Sequence, residues 1–247
     1  MACYSFFFSL ILLLAAVCYG QDAFVCSRAT YYGSPKCLGT ETGACGFGEY
    51  GQAVNNGQVT GVSRLYRNGT GCGACYQVRC RIPAHCSEEG VKVVVTDYGE
   101  GDHTDFILST RGYAKLARPN MAEELFAYGV VDIEYKRIPC RYGYNLFLKV
   151  HEQSNYPRYL AVVPLYKGGM YDITAVEIWL EYCKEWRPMR RVFGTVFDLQ
   201  NPPTGPLNFR LQVVAEGNAE VKSVQLTSAI PSDWKAGIAY DTAFQLN

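Results

Sequence analysis

Cys72-Gly-Ala-Cys75-Tyr-Gln-Val-Arg-Cys80-Arg-Ile-Pro-Ala-His-Cys86 packs four cysteines into fifteen residues, with Cys45 upstream and Cys140 downstream. Such a cluster is either a metal site or a disulfide framework, and the redox compartment decides between them. Zinc requires four nitrogen or sulfur ligands. The chain has three histidines and no second tight cysteine pair at finger spacing. The N-terminus points to the compartment. Residues 5–17 form an apolar run too short to span a bilayer, and Cys18-Tyr-Gly20 puts small residues where a signal peptidase cuts. The run lacks the usual basic residue before it. Residues 1–20 therefore read as a signal peptide and Gln21 as the mature start. No later stretch is apolar enough to span, so the product reads as secreted, without membrane association after cleavage. The cluster then reads as disulfides, with no metal or cofactor implied.

Of eleven cysteines, Cys3 and Cys18 leave with the signal, so an odd nine remain. Cys26 and Cys37 form a candidate local pair. Cys183 is left over and is expected as a buried, inert thiol, since free cysteine packs as a small hydrophobe; an intermolecular bridge is the alternative. Asn68-Gly-Thr70 is a glycosylation sequon in a turn-rich stretch.

Lysine plus arginine equal aspartate plus glutamate at 23 each, so no global field favours nucleic acid, acidic polysaccharide or anionic membrane. Aromatic content stands out instead, with 19 Tyr, 12 Phe and 3 Trp. Most of these rings belong to cores, but an excess of planar apolar groups also suits the flat faces of sugars.

The texture changes near Cys140. Before it, glycine and cysteine punctuate short β-branched stretches: Tyr76-Gln-Val-Arg79, Val91-Lys-Val-Val-Val95 and Val130-Val-Asp-Ile-Glu-Tyr135. Two short helices interrupt them, one capped by Ser109 through Ala117, the other capped by Asn120 over 122–127 and ended by Gly129. After Cys140, Leu146, Leu148 and Val150 alternate with outward residues, and the runs 208–214 and 220–226 flank a Gly217-Asn218 hairpin signal. These strands read as an antiparallel sandwich. The boundaries expected are a first domain over 21–140, a linker over 141–144 and a second domain over 145–247.

Gly43-Ala-Cys-Gly-Phe-Gly48, the 72–80 segment, Val95-Thr-Asp97, Arg137-Ile-Pro-Cys140, Trp186-Arg-Pro-Met189, Gly205-Pro-Leu-Asn-Phe209 and Ile230-Pro-x-x-Trp234 occur in that order. Together they resemble the plant expansin superfamily over nearly the whole mature chain, in detail the expansin-like branch and its B group. The resemblance implies a mainly all-β protein: a six-stranded double-psi β-barrel with short helices, related to family-45 endoglucanases, followed by an immunoglobulin-like β-sandwich. It also implies the disulfides Cys45–Cys72, Cys75–Cys140 and Cys80–Cys86.

An inverting glycosidase needs two carboxyl groups about 6.5–9.5 Å apart. The segment that aligns with the family's His-Phe-Asp motif is here Asp105-Phe106-Ile107. Ile107 cannot transfer a proton, and Asp97 stands alone, so no catalytic residue is assigned. Asp105 is expected to offer the cleft a sugar-binding carboxylate, or else to be a solvated loop aspartate. Thr30 and Tyr32, matching the family's Thr-x-Tyr motif, are expected to bind sugar or orient Asp97. On the second domain the resemblance implies stacking by Tyr159, Phe193 and Phe197, with Tyr156 extending the platform. Trp179 and Trp186 are expected in the core. Arg158, Arg190 and Arg191 either touch acidic wall polymers or form a solvated basic edge.

The sequence thus reads as a secreted, monomeric, non-enzymatic cell-wall protein that binds cellulose, xylan or another β-glucan and loosens non-covalent contacts between polymers. Two alternatives stay open: a residual endo-β-glucanase using Asp97, and a secreted defence or signalling protein with a protein partner.

Overall fold

The computed structural model describes residues 24–246 except 35, 102 and 103. The expected signal peptide lies outside the described residues. Strands β1 (Val25–Tyr32), β2 (Val59–Val62), β3 (Cys75–Cys80), β4 (Val91–Tyr98), β5 (Phe106–Ser109) and β6 (Val131–Ile138) close into a barrel in the order β1-β5-β2-β4-β3-β6. The pairs β1–β5 and β2–β4 are parallel, and the other four are antiparallel. The β-branched run Val91–Val95 suits its place in the barrel wall, where Val91, Val93, Val94 and Val95 are buried. The expected mainly-β architecture, a six-stranded barrel followed by a sandwich, is what the chain forms.

Three short α-helices decorate the barrel: α1 (Glu49–Ala53), α2 (Thr110–Ala114) and α3 (Ala122–Tyr128). Ser109 caps α2, accepting a 3.0 Å hydrogen bond from the Gly112 amide. Asn120 does not cap α3. Met121 holds that position without a side-chain bond, and Asn120 takes a left-handed φ of 65° in the turn before it.

Cys45–Cys72, Cys75–Cys140 and Cys80–Cys86 are bonded. Cys26 and Cys37 are not; both are exposed free thiols. Strand β1 explains this. Cys26 lies near its start, and the six residues to Tyr32 extend about 20 Å. Cys37 is then held at the far end by the Arg111 amide, which donates to its carbonyl. A disulfide needs Cα atoms about 4.4–6.8 Å apart.

The remaining strands form two sheets. One has the order β11-β12-β8-β7-β15, built from β7 (Phe147–Val150), β8 (Tyr159–Leu165), β11 (Arg190–Phe193), β12 (Val196–Gln200) and β15 (Ala239–Asp241). The other has the order β10-β9-β13-β14, from β9 (Tyr171–Leu180), β10 (Glu185–Pro188), β13 (Leu207–Ala215) and β14 (Val221–Ile230). The hairpin at Gly217-Asn218 joins β13 to β14 as the sequence indicates. Leu146, Leu148, Val150, Leu160 and Val162 meet Val176, Ile178, Leu211 and Val213 in the core between the sheets. Trp179 and Trp186 are not in that core. They are cross-strand partners, rings 5.3 Å apart, on the face of β9 opposite Val176, Ile178 and Leu180. Cys183 is likewise not buried, because it sits in the β9–β10 turn, where no core reaches it.

The five-stranded sheet has two buried faces. Ala161, Val163, Leu165 and Val196 point away from the sandwich core and pack into the barrel's own cluster with Cys45, Phe47 and Cys72. Approach is close enough that a Cβ on Gly69 would stand 2.1 Å from the Gly194 carbonyl oxygen, so both positions require glycine. Charge completes the seam. Asp172, at the start of β9, accepts from Arg67 at 2.7 Å and Arg137 at 2.8 Å, both from the barrel, with Lys167 at 3.9 Å.

Burial pushes the Lys167 ammonium down to about 7, with Asp172 opposing and Arg137 and Arg67 reinforcing the shift. Because its folded value lies below the ordinary 10.5, the unfolded chain takes up the proton first as pH falls. Stability therefore decreases from about 10.5 down to about 7 and bears the full cost below that. Lys167→Met should remove this slope and raise stability at acid pH, as measured by urea midpoints at about pH 6 and about pH 9.

Candidate functional site

One cross-strand row organises the barrel's site. Thr30 on β1 pairs with Ile107 on β5, Ile107 with Gly61 on β2, and Gly61 with Asp97 on β4. Ile107 and Asp97 are thus two strand spacings apart, roughly 9–10 Å between backbones. That is close to the separation of an inverting carboxyl pair, and one of the two positions is aliphatic.

Asp97 is half-buried at the end of β4. Its Oδ1 accepts from the Ala44 amide at 2.7 Å and the Tyr98 amide at 2.8 Å. Among the described residues its Oδ2 makes no hydrogen bond. Gly43 lets its loop lie close against the end of β4, since a Cβ there would stand 2.6 Å from the Thr96 carbonyl oxygen. The Tyr32 hydroxyl is buried without a hydrogen-bond partner among the described residues. Burial first, and then the negative charge of Asp97, push the phenol up to about 12. Tyr32 therefore stays neutral, with its hydroxyl enclosed. Thr30 is less available, because its hydroxyl donates to the Gly129 carbonyl at 3.0 Å.

Asp105 lines the cleft and is not a solvated loop residue. It is 5 % exposed and accepts from Ser27 at 2.6 Å, Ser63 at 3.3 Å and both Arg64 Nε and Nη2, at 2.8 and 2.5 Å. The Arg64 guanidinium holds its carboxyl below the usual range. A carboxylate this enclosed needs such partners, so its lone pairs are taken up internally. What faces solvent is Arg64.

The cleft beside this row has a volume of about 910 Å³, and its lining includes Arg64, Tyr66, Asn68 and Tyr98. Tyr66 and Tyr98 lie ring to ring at 5.2 Å, and Tyr98 is 44 % exposed. The Tyr66 hydroxyl donates to the Ala44 carbonyl at 2.9 Å, which fixes its ring beside the Asp97 loop. Sequence reasoning missed this pair. Its only local sign is Tyr98 next to Asp97. Asn68 is exposed at the rim.

The aromatic surface continues onto the second domain. Phe193 is 46 % exposed at the end of β11, and a Cβ on Gly46 of the barrel would lie 2.9 Å from its ring. Tyr159 is half-buried on the same side of the five-stranded sheet. Its hydroxyl donates to Asp198 at 3.0 Å, and Arg190 grips the same carboxylate with two hydrogen bonds at 3.0 and 2.6 Å. Phe197 does not join them. It is 1 % exposed and belongs to the sandwich core. Phe193 pairs with Val196 across the β11–β12 hairpin. Paired residues share a face and the next residue takes the other, so Phe197 points inward. Arg191 covers its ring at 4.4 Å while donating to the Gly194, Ile173 and Thr174 carbonyls. Arg190 and Arg191 thus serve the fold. Tyr156 is exposed and rests edge-on against Trp234 at 5.1 Å.

The sequence model of the family described as "Expansin C-terminal domain" matches residues 146–235. That described as "Lytic transglycolase" matches residues 58–135. The chain is 60% identical over 238 residues to Expansin-like B1 of Arabidopsis thaliana, covering 96% of this chain and 94% of the relative. It is 40% identical over 242 residues to Expansin-like B1 of Oryza sativa subsp. japonica, with the same coverage. In fold it is similar to the crystal structure of the apo expansin of Clavibacter michiganensis, with a TM-score of 0.67, 21% identity and 91% and 98% of the two chains covered. It is equally similar, at a TM-score of 0.67, 20% identity and 90% and 98% coverage, to a point mutant of that expansin crystallised with cellohexaose.

Proposed function

The chain belongs to the expansin superfamily, in its expansin-like branch, and from that premise we propose that it is a secreted, non-enzymatic cell-wall protein that binds β-glucan chains along one face. The observation that carries this reading is the exposed Tyr98 ring beside Tyr66, which is tied through Ala44 to Asp97, with Phe193 of the second domain packed against Gly46 of the same loop. Rings supply flat apolar area, and the unbonded Asp97 Oδ2 supplies an acceptor for sugar hydroxyls. The cellohexaose complex of the bacterial relative supports a glucan as the ligand class. The position opposite Asp97 is Ile107, so the row holds no proton donor for a leaving oxygen. Binding energy is then available to displace neighbouring polymer chains without cleaving one.

The test is a pull-down on crystalline cellulose and insoluble xylan, wild type beside Tyr159→Ala combined with Phe193→Ala. Each stacked ring contributes about 0.5–1.5 kcal/mol beyond its area, so retention should fall at least tenfold. Unchanged retention would remove the second domain from the site. Absence of wild-type binding to both would redirect the search to a protein partner, and reducing-sugar release from soluble glucan would revive the endoglucanase reading.

A further inference from the structure

A second groove, of about 1090 Å³, runs along the junction of the two domains and shares no lining residue with the cleft beside Asp97. Its wall is aromatic. The Tyr166 ring stands 4.8 Å from Tyr50, 5.3 Å from Tyr142, 5.1 Å from Tyr144 and 5.7 Å from Phe147. Tyr166 has a φ of 56°, a left-handed conformation that glycine adopts at less cost. A large ring is placed there against the backbone preference. Tyr144 is 62 % exposed and forms the outer lip.

The groove is also basic. Lys92, Lys136, Arg141 and Lys149 line it against one carboxylate, Glu49. Lys149 is paired with Glu152 at 2.5 Å outside the lining, which still leaves an excess of two positive charges. The chain as a whole is neutral. The cleft beside Asp97 is balanced too, with Arg64 and Arg67 against Glu100 and Asp105. Of the two grooves, this one carries the excess of positive charge.

From this combination we infer that the groove is a second glycan site, specific for chains that carry carboxylates, that is, uronic acid units. Rings pack against the C–H faces of the sugars, and the ammonium and guanidinium groups take the carboxylates. The inference is independent of the neutral-glucan reading, because the two sites use different residues and are scored on different ligands.

Calorimetric titration of the full secreted chain with an oligogalacturonate of about six sugars tests it, beside Lys92→Gln combined with Arg141→Gln and beside Tyr144→Ala. These side chains are exposed or half-exposed, so the variants should keep the wild-type melting temperature and the wild-type cellulose pull-down. The charge variant should bind the uronide roughly tenfold more weakly, Tyr144→Ala severalfold more weakly, and wild-type binding should weaken as salt rises. Equal affinity for a neutral xylo-oligosaccharide of the same length would overturn the inference, as would uronide binding unchanged in the variants. Equal affinity for polyglutamate of matched charge would also overturn it, by reducing the groove to a cation-exchange surface.

Discussion

Replacing Asp172 with asparagine should cost about 3–5 kcal/mol of stability and loosen the two domains from one another. Asparagine keeps the volume and an acceptor oxygen but removes the charge. Arg67, Arg137 and Lys167 all converge on that one carboxylate, two of them from the barrel. Arg137 is almost wholly enclosed, its side chain 3 % exposed, and among the described residues its only other acidic neighbour is Glu216 at 3.6 Å. Without Asp172 the seam holds the guanidiniums of Arg67 and Arg137 with too little counter-charge, while Lys167, already pushed down to about 7 by burial, loses the neighbour that favours its charged form. Breaking a buried pair leaves an uncompensated charge. Two measurements check this. The urea midpoint should fall, and small-angle scattering should show a larger radius of gyration as the domains separate. The functional consequence follows from geometry. In the proposed reading, Phe193 and the Asp97 row engage one glucan chain only while the seam fixes their separation, and independent domains would lose the gain from linked binding. Cellulose retention should therefore drop although no ring has been altered. An unchanged urea midpoint would show that the hydrophobic contacts of Val163, Leu165 and Val196 alone hold the interface.

Local chemistry in this sequence is legible where it depends on near neighbours. Ser109 caps α2 because its hydroxyl meets an amide three residues on, and Gly217-Asn218 turns β13 into β14 because that turn needs a positive φ, found here at 72° for Gly217. The three disulfides and the Asp97–Ile107 pair were accessible through the resemblance, which carries register that composition does not. Errors arose where the chain reverses or where a distant partner arrives. Phe193 and Phe197 are four apart and would share a face on a continuous strand, but a hairpin intervenes and sends them to opposite sides. Asp105 does line the cleft, but nothing local shows that Ser27, Ser63 and Arg64 will take up its oxygens. Cys26 and Cys37 look near in sequence and are kept apart by the length of β1. The seam was not legible at all. Its charges come from residues 67, 137, 167 and 172, and a neutral total hides both that cluster and the basic groove.

Removing Cys75 and Cys140 together, each as alanine, should destabilise the barrel by about 4 kcal/mol in the chain-entropy account, since the bridge closes a loop of 65 residues. For a chain of this size that corresponds to a fall of roughly 8–16 °C in the barrel's melting temperature. The loss should not be confined to the unfolded state. Cys75 begins β3 and pairs with Ile138 on β6, so the bridge ties the last barrel strand to its neighbour just before the chain leaves for the sandwich. A Cβ on Gly169 would lie 2.5 Å from the Cys140 sulfur, so the second domain packs directly on the bridge. Gly169 also presents the carbonyl that accepts from Arg137 Nε at 2.6 Å. The bridge and the Asp172 cluster therefore brace the same corner through Arg137, and their effects should not be additive. In a double-mutant cycle of Asp172→Asn with the cysteine pair, the combined loss should be smaller than the two losses summed, because the seam, once opened, can be opened only once. Strict additivity would instead mean that the bridge stabilises the barrel alone and contributes nothing to the alignment of the two binding surfaces.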